Sequence, residues 1–396
     1  MIQKSLIAAA LAMGLALAMP GLATGAPAAA NPWAWGLNSD GELGNGTVTR
    51  YSGLSMPVQA MNLDSVVAIA GGDQHSLALK SDGTVWAWGN DGWGQLGNGS
   101  YARSTTPLQV SGLSGMTAIA AGSLHNLAVK SDGTVWAWGF NYYGQVGNRT
   151  SGGNVLSPAQ VKGLAGVVAV AAGGYTSYAL KSDHSVWAWG YDGQGELGNG
   201  TSDENAHSSP TRVRSLSTAI AIGAGVEHAL AVLAGGSVFA WGDNQTSELG
   251  ATITTTCGAY SSSCSTVPVK VAGLGGATAV AGGYGYSLAL KGADMTAWGW
   301  GNDGYGELGN GTPQLYGGVK TPVRATVSQV IAIAAGASHS LWLSSGGTVW
   351  AAGSNYYGQI GNGTFNDATS PVQVTSLNGL TAIGTGHSHS LAVKSR

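Results

Sequence analysis

Histidine is the residue type whose identity and spacing in this sequence best suit chemistry. Five histidines occupy one position of a recurring phrase, G-x-x-H-x-L: His75, His125, His228, His339 and His389. Imidazoles bind metal ions and exchange protons near neutral pH, so histidines on a common ring could do either. Two other copies of the phrase carry Thr176 and Tyr286 at this position, and neither side chain replaces an imidazole. The interchange favours buried hydrogen-bonding groups, and the sequence predicts a structural role for the five histidines.

A second pattern with chemical meaning is the dinucleotide fingerprint. Gly299–Gly304 reads G-W-G-N-D-G and satisfies G-x-G-x-x-G, which binds pyrophosphate only where a strand opens into a helix. Here another turn follows, so the match predicts no nucleotide site. The sequence contains no G-x-S-x-G, H-E-x-x-H or Walker A pattern. We therefore expect no catalytic residue, no metal ion and no cofactor.

Aromatic residues at another repeated position indicate binding. The loop residue that precedes G-[QE], after each W-A-W-G phrase, is aromatic in four copies: Trp93, Tyr143, Tyr305 and Tyr357. The other copies have Asp40, Gln194 and Thr246, and so wide a variation is typical of a side chain that faces solvent. Exposed aromatics anchor protein partners and also stack on sugars. Packing between repeats is the alternative interpretation.

The two cysteines lie close together in the segment C-G-A-Y-S-S-S-C, as Cys257 and Cys264. Two cysteines in one loop of an exported protein are typical of a disulfide, although two free thiols remain the alternative. A bridge between them closes only a short loop, so we expect it to stabilise local structure.

Residues 1–30 are predicted to be a signal peptide. Lys4 provides a positive start, Leu6–Met19 is apolar, and small residues follow it. We expect cleavage near residue 25 or residue 30. A membrane anchor is the alternative, but it needs about 20 apolar residues. The sequence therefore predicts a secreted or periplasmic protein that has no membrane contact after cleavage.

Seven internal repeats must position all of these residues. The W-A-W-G phrase and its variants begin at Trp33, Trp86, Trp136, Trp187, Phe239, Thr296 and Trp350. Each period reads as short strands: an apolar run, two alternating segments joined by a turn such as Ser81-Asp82-Gly83, and a weaker strand that contains proline. Proline belongs on an edge strand, which places the fourth strand outermost. Four strands repeated seven times predict an all-β fold, a seven-bladed β-propeller; a linear solenoid is the alternative.

The two ends of the chain are out of phase with the repeats. The segment at residues 31–36 has the W-A-W-G phrase without inner strands, whereas the last repeat has inner strands without outer ones. Paired, they complete one blade and close the ring of antiparallel blades. Closure also removes exposed strand edges. We therefore expect residues 31–396 to form one propeller domain.

The distribution of charge excludes one class of partner. The formal net charge is −3, and no cluster of lysine and arginine occurs. Phosphate backbones are bound by concentrated positive charge. Nucleic acid is therefore not an expected partner.

The sequence of residues 70–97, AGGDQHSLALKSDGTVWAWGNDGWGQLG, resembles the repeat of the regulator of chromosome condensation family, and the likeness extends over residues 31–396. It implies a seven-bladed propeller with a binding role. The nuclear member of the family is an exchange factor for a small GTPase and binds chromatin. This chain has instead an export signal and no basic tail, so neither activity is expected here.

The chain is more distantly similar to secreted bacterial propellers that inhibit β-lactamases. Their rim loops present aromatics just before the inner hairpin strand of each blade. In this chain the same column has one aromatic, Tyr175; its other members are Gln74, Leu124, Glu227, Gly285, Ser338 and Ser388.

Function is expected in the loops that differ between copies. We predict an exported, non-enzymatic and monomeric propeller that binds another protein. The alternatives are a carbohydrate-binding module, an inhibitor of a secreted enzyme such as a β-lactamase, and an enzyme with its site in the central channel. A lectin should show similar pockets in several blades, and a protein binder one uneven arc. An enzyme needs acids or bases that converge on the inner strands.

Overall fold

Seven antiparallel sheets follow one another around a ring in the computed structural model, which describes residues 31–49, 52–258 and 261–394. The seven-bladed propeller is confirmed. The predicted signal peptide, residues 1–30, lies outside the described residues. Within those ranges, no helix has the length and apolarity that a membrane crossing requires.

The strands of the closing blade come from both ends of the chain: β1 (Asn31–Gly36), β2 (Leu54–Gln59), β28 (Leu380–Thr385) and β29 (His389–Lys394). Blades 1 to 3 contain β3 (Val66–Gly71), β4 (His75–Lys80), β5 (Val85–Gly89), β6 (Ser104–Gln109); β7 (Met116–Ala121), β8 (His125–Lys130), β9 (Val135–Gly139), β10 (Val155–Gln160); and β11 (Val167–Ala172), β12 (Thr176–Lys181), β13 (Val186–Asp192), β14 (Asp203–Arg212). Blades 4 to 6 contain β15 (Ala219–Ala224), β16 (His228–Leu233), β17 (Val238–Asp243), β18 (Thr256–Cys257), β19 (Ser262–Lys270); β20 (Ala277–Gly282), β21 (Tyr286–Lys291), β22 (Thr296–Asp303), β23 (Gln314–Arg324); and β24 (Val330–Ala335), β25 (His339–Ser344), β26 (Val349–Gly353), β27 (Ala368–Gln373).

The order of strands within a blade follows from local sequence. In blade 1 the order is β3-β4-β5-β6 from the channel outward, and Pro107 lies in the outermost strand as predicted. The turn between β4 and β5 is closed by Asp82, whose carboxylate accepts the Thr84 N–H at 2.9 Å. Such tight turns define one face of the propeller, which we call the hairpin face. The opposite face, the loop face, carries the connections between β3 and β4 and between β5 and β6 and their equivalents.

The ring closes through the two ends of the chain. Strand β1 lies between β29 and β2, and its register with β29 runs from Asn31 opposite Lys394 to Gly36 opposite His389. Trp35 of β1 is fully buried, and its indole N–H donates to the Gln359 carbonyl of blade 6 at 2.8 Å. The predicted closure of the ring by its N- and C-terminal segments is confirmed.

The second tryptophan of W-A-W-G fills the space between neighbouring blades. Trp88 of blade 1 is fully buried and donates to the Glu42 carbonyl at 2.7 Å, and Trp138 donates in the same way to Gln95 at 2.9 Å. Blade 6 departs from this rule because Ala352 replaces the tryptophan. There Trp342 of β25 occupies the core together with Ala352, so the volume is restored from another strand.

A ring of backbone hydrogen bonds joins all seven blades at the channel mouth on the loop face. Each β3–β4 type connection donates to the corresponding connection of the next blade, as Asp73 N–H does to the Ser123 carbonyl at 3.0 Å. The remaining bonds are Ser123 to Gly173, Gly174 to Val226, Val226 to Gly283, Tyr284 to Ala337, Ala337 to His387, and His387 to Gly72. The channel mouth is therefore built from backbone that is committed to structure.

Candidate functional site

The five repeat histidines are buried between blades, and each forms a hydrogen bond to a side chain of the next blade. His125 Nε2 lies 2.9 Å from Ser177 Oγ of the next blade, and that hydroxyl donates to the Gln145 carbonyl at 2.8 Å. Because the serine hydrogen is used, the imidazole must donate to the serine oxygen. Burial lowers the pKa of His125 to about 3, which keeps the ring neutral. His228, His339 and His389 make the same bond to serine, and His75 bonds to Asn126.

Glycine precedes each of these histidines by three residues for a steric reason. A Cβ atom at Gly72 would lie 2.1 Å from the His75 ring, and the same approach recurs at Gly122 and His125. The G-x-x-H pattern therefore reports the packing of an imidazole against a backbone. This geometry supports the structural role predicted for the histidines.

The central channel is lined mainly by small and apolar residues. Its mouth on the loop face is a cavity of about 120 Å³ lined mainly by glycine and alanine. Asp73 and His387 are the titratable residues of this lining within the described ranges. The deeper part is lined by isoleucine, valine, alanine, glycine and a single threonine, Thr385. The structure describes no convergence of acids and bases on the inner strands in these cavities.

One group of side chains in blade 3 has metal-ligand chemistry. Asp192, Asp203 and His207 each place one ligand atom within 4.8 Å of the others. His207 Nε2 donates to Asp203 at 3.1 Å, and Asp192 accepts the Leu197 N–H at 3.0 Å. These bonds account for the arrangement without an ion.

The G-[QE] pattern holds the aromatic column in place. The side chain of Gln145 accepts the backbone N–H of Tyr143 at 3.1 Å, and Gln95 accepts that of Trp93 at 2.8 Å. The turn is thus fixed by a hydrogen bond to the backbone N–H of the column residue. The side chain of that residue takes no part in the bond and is free to vary. This explains why the column contains aspartate and threonine as well as aromatics.

Six aromatic side chains from blades 1 to 3 form a continuous cluster on the loop face. We call it the aromatic arc: Trp93, Phe140, Tyr142, Tyr143, Tyr175 and Tyr191. Phe140 lies 5.1 Å from Trp93 and 5.7 Å from Tyr175, measured between ring centroids. Tyr143 connects the rest, because it lies 5.4 Å from Tyr175 and 4.8 Å from Tyr191. The arc crosses the boundaries between three blades.

The arc is only partly buried, although its rings contact one another. Trp93 is 44% exposed, Tyr142 58% and Tyr175 37%. At the other end, Tyr191 lies over Gly193, where a Cβ atom would be 2.1 Å from the tyrosine hydroxyl. Burial raises the pKa of Tyr191 to about 12, with further contributions from nearby acidic residues, so the hydroxyl stays neutral. A group of aromatic rings that contact one another and keep exposed surface is typical of a binding site.

The predicted aromatic column is divided by the structure. Trp93 and Tyr143 belong to the arc. Tyr305 is 49% exposed on blade 5, and no ring contact links it to another aromatic in the described ranges. Tyr357 contacts Tyr356 on blade 6, with centroids 4.9 Å apart. The four residues lie on equivalent loops, but they do not form one cluster.

Sequence analysis missed Phe140, Tyr142 and Tyr191. Phe140 and Tyr191 directly follow the glycine of W-A-W-G, a position that is Asn90 in blade 1 and Asp243 in blade 4. Aromatics at this position in two consecutive repeats were the available signal. Tyr175 was noted, but its contact with Tyr143 of the neighbouring blade was not.

The two cysteines form a disulfide in blade 4, with Cα atoms 5.7 Å apart. Cys264 lies in β19 and Cys257 in β18, the short fifth strand of this blade. Gly258, next to Cys257, lies beside Gly193 and Gln194 of blade 3. The bridged loop therefore borders the end of the arc at which Tyr191 lies.

Buried carboxyl groups occur beside the same turns. In blade 5, Asp303 and Glu307 are fully buried, and each has one oxygen without a hydrogen-bond partner in the described part of the chain. Burial raises the pKa of Asp303 to about 6 and that of Glu307 to about 7. In blade 2 the corresponding residues are the neutral Asn141 and Gln145.

We expect the double variant Asp303→Asn, Glu307→Gln to be more stable than the parent at pH 8, by on the order of 5 kcal/mol, and about equal at pH 4. Both folded-state pKa values are raised, so the stabilisation from the protonated acids is complete below about pH 4. It is lost progressively as the pH rises from about 4, where the acids of the unfolded chain ionise, to about 7, where those of the folded protein have ionised as well. The neutral amides do not lose a proton in this window. Chemical denaturation at the two pH values measures the difference; an equal gain at both would contradict the assignment.

Comparison with known proteins identifies the repeats. The family model described as regulator of chromosome condensation (RCC1) repeat matches seven segments: residues 33–79, 82–129, 132–180, 183–232, 235–290, 296–343 and 346–393. Together these matches cover most of the chain. The similarity to β-lactamase inhibitors stays a prediction.

Two curated relatives match this chain over part of their own length. E3 ubiquitin-protein ligase HERC2 of Mus musculus is 30% identical over 395 residues, which is 94% of this chain and 8% of that protein. The ultraviolet-B receptor UVR8 of Arabidopsis thaliana is 30% identical over 250 residues, which is 60% of this chain and 54% of the receptor. The chain thus spans about half of one relative and a small part of the other.

Solved structures share the fold. Prp20p of Saccharomyces cerevisiae, described with its binding properties to Gsp1p and histones, has a TM-score of 0.81 and 22% identity; 94% of this chain and 92% of that chain are covered. Human WBSCR16 has a TM-score of 0.81 and 22% identity, with 92% and 99% covered. At this identity the likeness establishes the propeller fold.

Proposed function

The chain belongs to the regulator of chromosome condensation repeat family, and from this membership we propose that it is a non-enzymatic propeller that binds another protein through the aromatic arc. The observation that carries the proposal is the continuous set of six aromatic rings on three neighbouring blades. Interfaces between proteins are enriched in tyrosine and tryptophan at their centres. Prp20p, which has the same fold, is described as binding Gsp1p and histones.

The uneven distribution of aromatics favours a protein over a sugar. A lectin built on seven repeats would present similar pockets in several blades. Blades 1 to 3 here contain the arc, whereas blade 4 has Thr246 and Asp243 at the corresponding positions. One asymmetric surface fits a single partner with a defined orientation.

We also propose that the protein acts outside the cytosol. The apolar segment Leu6–Met19 after Lys4 supports export. A disulfide between Cys257 and Cys264 is consistent with an oxidising compartment. Monomeric behaviour is part of the same proposal, and inhibition of a secreted enzyme stays an alternative to it.

We expect the triple variant Trp93→Ala, Tyr142→Ala, Tyr175→Ala to lose a partner that the parent protein retains. Truncation of interface aromatics often costs about 2 kcal/mol each, which is roughly a thirtyfold loss of affinity. Immobilised parent and variant proteins would be exposed to the secreted or periplasmic fraction, and retained proteins identified by mass spectrometry.

The matched control removes three exposed tyrosines from other blades: Tyr284, Tyr316 and Tyr356 are 56%, 87% and 71% exposed. Their replacement by alanine should leave the partner bound. Loss of the partner in this control, with retention by the arc variant, would place binding on blades 5 and 6 and refute the proposal.

A further inference from the structure

Three carboxylates border the aromatic arc. Asp73 lies in the connection between β3 and β4, Glu227 in that between β15 and β16, and Glu204 in the outer strand β14. After burial, the charges of Asp73 and Glu227 are among the causes that raise the pKa of Tyr175, and Glu204 and Glu227 do the same for Tyr191. The backbone places two of these acids beside the rings: Gly174, next to Tyr175, donates to the carbonyl of Val226, next to Glu227, at 2.9 Å. Asp192, next to Tyr191, is paired with Asp203, next to Glu204.

None of these carboxylates is neutralised by this chain in the described ranges. Asp73, Glu204 and Glu227 take part in none of the ion pairs there, and their side chains accept none of the described hydrogen bonds. Glu204 is exposed, and the other two are partly exposed. An acidic group that lacks a partner beside an exposed aromatic surface is available to a ligand.

The described cations of the neighbouring loops are engaged elsewhere. Arg103 pairs with Asp40 at 3.3 Å, and the guanidinium of Arg149 lies near Gly163, at the opposite end of the blade. The lysines at the ends of the second strands lie on the hairpin face. There Lys80 pairs with Asp64 at 2.9 Å and Lys181 with Asp183 at 3.5 Å. The loop face around the arc is therefore acidic, and the positive charge lies mainly on the other face.

We propose that the segment bound by the arc is rich in arginine or lysine, an inference that rests on the proposed function. Guanidinium groups stack on aromatic faces and are attracted by the ring quadrupole. The exposed faces of Tyr142 and Tyr175 provide such surfaces, and Asp73, Glu204 and Glu227 provide the opposite charge. Together these groups recognise a basic peptide segment and disfavour an acidic one.

The probe is a fluorescein-labelled peptide of alternating arginine and glycine, of about ten residues, which spans about 33 Å when extended. Peptides with glutamate or serine in place of arginine are the controls. Fluorescence anisotropy should show binding of the arginine peptide at low ionic strength, and weaker binding when salt is raised. Neither control peptide should bind.

The double variant Asp73→Asn, Glu227→Gln should lower the affinity for the arginine peptide at least about tenfold. The matched control, Asp82→Asn with Asp132→Asn, removes the same charge from the hairpin face. Its affinity should equal that of the parent.

Equal binding of the serine peptide, or an equal loss in the hairpin-face control, would overturn the inference. Failure of the arginine peptide to bind, while a protein partner is still lost on truncation of Trp93, Tyr142 and Tyr175, would overturn the inference and leave the proposed function intact. If truncation of the arc changes no protein partner, the proposed function fails. Self-association of the parent that is abolished by the arc variant would identify a second copy as the occupant and refute a basic segment.

Discussion

A protein that lacks residues 31–46 should lose the cooperative thermal transition of the whole propeller. Strand β1 bonds to β29 on one side and to β2 on the other, so its removal opens the ring and exposes two strand edges. It also removes Trp35, which is fully buried between blades. Loss of a buried tryptophan alone costs about 3–5 kcal/mol, and native proteins have only about 5–15 kcal/mol of stability in total. We therefore expect no folded state at ambient temperature.

Circular dichroism and calorimetry would measure this loss. A circular permutant is the control, because it keeps every strand but changes the position of the ends. Lys394 would be joined to Asn31 by Ser-Asp-Gly, the tripeptide that lies between Lys80 and Thr84 in blade 1, and the chain would be opened at the exposed Gly112. The permutant should melt as the parent does. A truncated protein that melts at the parental temperature would refute a closed ring.

Two tryptophans of neighbouring blades should respond very differently to truncation. Trp138→Ala should destabilise the protein by about 3–5 kcal/mol, because the fully buried indole fills the interface between blades 1 and 2 and donates to Gln95. Trp93→Ala should cost less than about 1 kcal/mol, because that ring is half exposed and contacts Phe140 at its edge.

Chemical denaturation of the two variants, at constant protein concentration, would separate these roles. The affinity for a partner should change in the opposite order, with a large loss for Trp93→Ala in the folded protein. If the two truncations destabilised the protein equally, Trp93 would be a packing residue, and the arc would lose one of its exposed members.

Much of the fold could be read from local sequence. Alternation in His75–Lys80, the Asp82-Gly83 turn and the edge proline Pro107 each specify one strand or its place within a blade. Ring closure could be read as well, because the first phrase at Trp33 lacks inner strands. These features are local or periodic, and they require no knowledge of how blades are tilted.

The arc could not be read in the same way. Whether Phe140 reaches both Trp93 and Tyr175 depends on the angle between neighbouring blades, which no short pattern encodes. The exchange in blade 6, where Trp342 compensates for Ala352, is another example. Trp342 and Ala352 lie on different strands, and they are related only because both pack in the same part of the core.

The register of the closing blade also determines the face of the propeller at which Asn31 and Lys394 lie. Asn31 and Lys394 are paired, and both lie at the hairpin face, whereas Gly36 and His389 lie at the loop face. Any tether joined to either of these residues would leave from the side opposite the aromatic arc. A propeller attached to a surface or to a neighbouring domain by one or both of these residues would therefore present the arc outward, toward whatever approaches it.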